Sequence, residues 1–152
     1  MHEISDFFDI DGDQLEYHLI TPPQSRDTTL VFLHEGLGCV AMWKDFPRRV
    51  AEATGYPTLA YSRAGYGGST PCQRPRPITF MHDEGLKVLP KVFAAAGISQ
   101  AILVGHSDGA SIALINAGSD NDQRLRGLVL MAPHVFVAAE LTVSSIRKAK
   151  LA

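Results

Sequence analysis

The sequence has no long apolar run. Nothing in it approaches the roughly 20 consecutive apolar residues that a membrane-spanning helix needs, so the chain is not read as crossing a membrane. It has no dense run of Lys and Arg either. These residues number 14 against 16 Asp and Glu, a formal net charge of −2. A chain without a basic stripe is poorly suited to phosphate backbones and anionic membranes, so neither nucleic acid nor membrane is expected as a partner. The N-terminus, Met1-His2-Glu3-Ile4-Ser5-Asp6, lacks the basic stretch followed by an apolar one that marks a secretory signal. Cysteine is scarce. Cys39 and Cys72 lack zinc-site spacing and read as free thiols in a reducing compartment. Together these absences point to a soluble, cytoplasmic protein. Internal repeats and low-complexity tracts are also missing.

What is present fits one globular domain: 45% of the 152 residues are hydrophobic and 20% charged. Two short elements, around Ile4–Ile10 and Gln14–Ile20, flank Asp11-Gly12-Asp13, a hairpin signal. Four apolar runs follow: Leu30–Leu33, Thr58–Tyr61, Ala101–Val104 and Leu128–Met131. Their apolar residues are consecutive, as in strands of a parallel sheet covered on both faces.

Helical patterns lie between these runs. Asp45 is placed to cap one helix, with Pro47 in its first turn and Gly55 at its end. Thr79 is placed to cap a longer one. That helix has Met81, Val88, Leu89, Val92 and Phe93 on one face, a kink expected at Pro90 and an end at Gly97. A third starts after Ser107 and ends near Gly118, with Ala110, Ala113, Leu114 and Ala117 inward. The fold class is therefore α/β: about six strands, mostly parallel with an antiparallel N-terminal hairpin, and helices on both faces. Residues 1–135 form this core. Residues 136–152 read as an incomplete cap or connecting helix. The run Leu128–Met131 is apolar on both faces and, as a bare edge, lacks a neighbour. On that reading the chain ends before its fold does.

The chemistry centres on Gly105-His106-Ser107-Asp108-Gly109, placed between a strand and a helix. A serine here stands on a sharp turn, exposed at a helix N-terminus whose partial positive charge favours a developing anion. The Asp108 N–H faces the same place. Gly-x-Ser-x-Gly alone can be a plain turn; its position between strand and helix makes it a nucleophile motif. A second stretch, His34-Glu35-Gly36-Leu37-Gly38, follows the strand at Leu30–Leu33. A third, Arg63-Ala64-Gly65-Tyr66-Gly67-Gly68-Ser69, follows the strand at Thr58–Tyr61.

In this order the three stretches resemble the α/β-hydrolase-fold serine hydrolases, over nearly the whole chain. The resemblance implies Ser107 as catalytic nucleophile and an oxyanion hole made by the N–H groups of Gly36 and Asp108. Glu35 stands where the family's oxyanion loop usually has glycine, and Ala64 separates the Arg from the Gly of the third motif. That third motif is implied to shape the loop behind the oxyanion hole. His34, Glu35, Leu37, His106 and His134 are candidate pocket residues, with His34 anchoring the loop. Trp43 reads as core or pocket wall, and His82 as a surface or cap-contacting residue. Branches that use Asp as nucleophile are disfavoured by Ser107. The activity implied is acyl transfer from a small ester, thioester or activated carbonyl substrate, with no metal and no organic cofactor.

In this fold the acid and the histidine follow the serine. No Asp-then-His pair follows Ser107 at suitable positions. Downstream stand Asp120, Asp122 and Glu140, and the only histidine is His134. His134 reads first as a pocket-lining residue at the site mouth, with a stand-in general base as the lesser alternative. Three accounts stay open. The chain is a piece of a longer hydrolase, expected to show little or no turnover alone. Or it is half of a two-chain enzyme, completed by a C-terminal-half polypeptide or as a homo-oligomer. Or it is a non-catalytic binding or assembly module.

Overall fold

The computed structural model describes residues 1–119, 122–134 and 147–148. The hairpin forms as expected: β1 (His2–Ile10) and β2 (Asp13–Thr21) pair antiparallel, with Phe8 opposite Leu15. Asp11 and Gly12 turn the chain at φ values of 55° and 91°. Two successive positive φ values match the right-handed twist of a two-residue hairpin, which is why Asp-Gly serves there.

The four apolar runs are strands β3 (Thr28–Leu33), β4 (Thr58–Tyr61), β5 (Gln100–His106) and β6 (Leu125–Met131). The sheet order is β1-β2-β4-β3-β5-β6. β2 meets β4 antiparallel, and the remaining pairs are parallel. Side chains alternate between two cores. On one face Val31, Leu33, Leu59 and Leu103 pack with Phe8 and Leu15 of the hairpin. On the other Leu30, Phe32, Ala60 and Val104 pack with Val40, Trp43 and Val50. Being buried on both faces, β3 and β4 are apolar without alternation.

Helix α1 (Phe46–Thr54) covers the second face. Gly55 ends it at φ 73°, its N–H donating to the Ala51 carbonyl. Asp45 holds the N-cap position, but its side chain makes no capping hydrogen bond. The segment expected as one kinked helix is helical without a break over 80–95, but irregular: α2 (Phe80–Asp83), a π-helical turn (Glu84–Val88) and α3 (Leu89–Ala95). Pro90 has no N–H for a carbonyl one turn earlier, and the wider turn lies just ahead of it. Thr79 does not cap this segment through its side chain; its hydroxyl donates to Asp83 instead. Gly85 of the π turn presses against the next helix, where a Cβ would lie 3.0 Å from the Ile112 carbonyl oxygen. Asn116 donates to the Gly85 carbonyl at 2.9 Å.

Helix α4 (Asp108–Ala117) lies on the same face as α3. Its buried side includes Ala110, Ile112, Ala113 and Asn116, whereas Leu114 is only partly buried and Ala117 is exposed. The inward face is therefore rotated from the one read in the sequence, because the tight start of α4 sets its angle. β6 is the outermost strand, and Val129 on it is 48% exposed. The segment expected as a cap or connecting helix, 136–152, lies outside the described residues apart from 147–148. No helix among the described residues is long and apolar enough to cross a membrane.

Phe93 on α3 is fully buried in the larger core. Truncating it leaves a cavity that the surrounding sheet can only partly close. Phe93→Ala should therefore lower stability by about 3–5 kcal/mol, measured as a reduced urea midpoint at unchanged slope.

Candidate active site

The backbone reverses sharply at the end of β5. Ser107 takes φ 53° and ψ −113°, a conformation that costs a non-glycine residue about 1–3 kcal/mol. It persists because the flanking glycines leave no alternative packing. A Cβ on Gly105 would lie 2.5 Å from the Gly109 carbonyl oxygen, and one on Gly109 would lie 2.0 Å from the Leu33 carbonyl oxygen. β5, α4 and the end of β3 thus meet backbone to backbone. The Ser107 N–H donates to the Met131 carbonyl at 2.8 Å, tying the turn to β6.

The loop after β3 is held from behind by Arg63, the largest fully buried side chain. Its guanidinium donates to the His34 carbonyl at 2.7 Å and to the Glu35 carbonyl at 3.1 Å. The Arg63 N–H donates to His34 Nε2 at 3.1 Å. Nε2 is therefore an acceptor, and Nδ1–H donates to the Glu35 carbonyl at 2.7 Å. This fixes a neutral imidazole. Burial, followed by the Arg63 charge, pulls the His34 pKa down to about 3. Behind this clamp the Tyr61 hydroxyl, Arg63 Nε and Glu84 Oε2 are buried without hydrogen-bond partners. Burial pushes the Glu84 carboxyl up to about 7 against the pull of Arg63.

Gly36 is brought against the start of α4. A Cβ there would lie 2.6 Å from Asp108 Oδ2. The two residues expected to donate to an oxyanion are thus neighbours across the β3 and β5 loops. Glu35 stabilises its own loop: its carboxylate accepts the Leu37 N–H at 2.7 Å. Its side chain, like that of His34, lines a cavity of about 170 Å³ with Gly38, Met42, Trp43 and His106. Gly36 and Leu37 face a second, open groove of about 350 Å³ shared with Tyr66 and Arg76. The expected pocket residues therefore divide between two spaces.

His134 belongs to neither. Its Nε2 lies 2.6 Å from Ser107 Oγ, and its carbonyl accepts the Ser111 hydroxyl at 2.6 Å. Sequence reasoning favoured a lining residue here. The available signal was a histidine just past a strand adjacent to the Ser107 strand. Glu16 carried no signal at all. Its carboxylate accepts the Ser62 hydroxyl at 2.8 Å and the Gly68 N–H at 3.0 Å, pinning the third glycine-rich stretch to β2. Arg76 was also missed; it braces that stretch by donating to the Tyr66 hydroxyl at 2.7 Å and to the Ala64 carbonyl at 3.2 Å. Cys39 and Cys72 are free, half-buried thiols. Among the described residues, no group of three or more His, Cys, Asp or Glu is placed to hold a metal ion.

The model of the alpha/beta hydrolase family matches residues 30–150, which contain the turn at Ser107 and the clamped loop. The chain belongs to the alpha/beta hydrolase family. Solved structures agree on the fold. The chain is similar to a CIB-like hydrolase from Thermoplasma acidophilum at 16% identity and a TM-score of 0.75, covering 88% of this chain and 64% of that one. It is similar to the carboxylesterase CesB from Bacillus subtilis at 19% identity and a TM-score of 0.75, covering 96% and 50%. An esterase from Exiguobacterium antarcticum aligns at 22% identity and a TM-score of 0.70, covering 87% and 46%. The chain thus spans about half to two thirds of the length of these proteins. No curated protein matches it.

Two outcomes test this geometry. Gly109→Ala places a methyl group inside the Leu33 carbonyl. It should cost at least about 1–3 kcal/mol in urea unfolding, because backbone rather than a side chain must move. The clamp makes a prediction in pH. His34 has a folded pKa of about 3 against an ordinary 6.5. Between those values the unfolded chain binds a proton that the native state does not. His34 therefore contributes stability that is present above 6.5 and lost as pH falls toward 3. Glu84 runs the other way, since its raised pKa removes stability as pH rises from 4.5 to about 7. The informative quantity is therefore the gap between wild type and His34→Gln. It should shrink by about 2 kcal/mol from about pH 7.5 to about pH 5 in urea titrations.

Proposed function

We propose that the chain carries the nucleophilic half of a serine hydrolase. Ser107 attacks the carbonyl of a small ester, thioester or similarly activated substrate. The N–H groups of Gly36 and Asp108 hold the oxyanion, and water later releases the acyl group from Ser107. The observation that carries this reading is the backbone at Ser107. A strained, positive-φ serine between β5 and α4 holds its side chain clear of the sheet, at the N-terminus of a helix. The close packing at Gly105 and Gly109 fixes the turn, and it places a hydroxyl rather than an apolar side chain at its apex. Membership of a hydrolase family and the likeness to esterases support the same class of chemistry.

Among the described residues no carboxylate hydrogen-bonds to a histidine near Ser107. Replacing the triad carboxylate in a complete site lowers turnover by about 10⁴-fold, and slow turnover is expected here for the same reason.

A fluorophosphonate probe should label one residue, Ser107, and Ser107→Ala should remove the label, read by intact mass. An activated aryl ester should acylate the chain without sustained turnover. Label retained in Ser107→Ala, or ester hydrolysis at ordinary enzyme rates, would overturn the corresponding half of this proposal.

A further inference from the structure

Behind the clamped loop lies a cavity of about 230 Å³. Arg63, Arg76 and Glu84 line it, with Ala64, Pro77 and Phe80 as apolar wall. Neither Ser107 nor Gly36 lines it. We propose that this cavity binds a short-chain monocarboxylate, held between the Arg63 guanidinium and the Glu84 carboxyl.

The lining leaves two buried groups unsatisfied. Arg63 is 2% exposed, and both its terminal nitrogens donate to carbonyls of the loop after β3. Its Nε is buried and has no acceptor among the described residues. Glu84 Oε2 is buried and unpartnered in the same way, so the two atoms do not bond each other. Leaving both unsatisfied is costly, and a small molecule that bonds both removes that cost.

The charges select an anion. Two guanidinium groups line the cavity, and the Asp83 carboxylate beside them is already engaged by Lys87 and by the Thr79 hydroxyl. Glu84 does not repel a second carboxylate, because burial, against the pull of Arg63, raises its carboxyl to about 7. Protonated, it donates its O–H to one ligand oxygen while Arg63 Nε–H donates to the other. Arg76 is fixed in place beside them. Its nitrogens donate to Cys72 Sγ, the Tyr66 hydroxyl and the Ala64 carbonyl.

The wall sets the rest of the ligand. Ala64, Pro77 and Phe80 offer apolar contact to an alkyl chain. The space limits that chain to a few carbons, since a cavity of roughly 150 Å³ already takes a benzene ring.

The test is a titration of the full chain with sodium propionate at about pH 6, below the Glu84 value. Nitrogen–proton NMR follows the Arg63 Nε–H, with sodium chloride at equal ionic strength as reference. That resonance should shift to saturation in the millimolar range, and the urea midpoint should rise with ligand. Propionamide lacks the charge and should bind about 10-fold more weakly or worse. Glu84→Gln keeps a donor in place and should keep the binding. Glu84→Leu removes it and should weaken binding by about 10-fold or more.

An Arg63 Nε–H that stays unmoved, or moves equally with chloride, would overturn the site. Propionamide binding as tightly as propionate would overturn the anionic class. Unchanged affinity in Glu84→Leu would overturn the role of Glu84. If that variant does not fold, the wild-type resonance and the propionamide comparison still decide. Ser107→Ala should bind propionate as the wild type does, so failure of this site and failure of the nucleophile are read separately.

Discussion

The site depends on Arg63. Its guanidinium is fully buried and donates to two consecutive carbonyls of the loop after β3. A buried cation demands partners, and here the backbone supplies them. The same residue's N–H fixes the tautomer of His34, whose other nitrogen returns to the Glu35 carbonyl. The loop that presents Gly36 is therefore immobilised from the sheet side and left open on the other. Without that clamp, Gly36 has no reason to rest against Asp108.

The surrounding packing serves the same constraint. Glu16 reaches from the hairpin to the Ser62 hydroxyl and the Gly68 N–H, so β2 holds the loop that follows Arg63. The strained conformation at Ser107 is kept by contacts that glycine alone permits at 105 and 109. Stability is committed to holding a few backbone groups in place, and three buried polar atoms behind the clamp go without partners. The opposed proton linkages of His34 and Glu84 arise from this one crowded layer.

The strands were legible because both faces of β3 and β4 are buried, which writes itself as consecutive apolar residues. The turn at Ser107 was legible because its glycines are sterically obligatory. The π turn at Glu84–Val88 was not, since Pro90 announces only that a regular helix is interrupted there. Glu16 was invisible because its partners lie 46 and 52 residues away. His134 was visible as a residue beside the site. Its contact with Ser107 depends on a positive φ at Ala132, a residue type that gives no hint of one.

β6 ends in the hydrogen bond from Ser107 to Met131. Its register is therefore felt at Ser107 as well as in the core. A slip of one residue would turn every side chain of the strand to the opposite face. It would also carry the Met131 carbonyl away from Ser107 and His134 away from the hydroxyl. A mispaired outer strand would thus disturb the turn at Ser107 as well as the packing, so under the proposed function the labelling of Ser107 would also report on the pairing of β6 with β5.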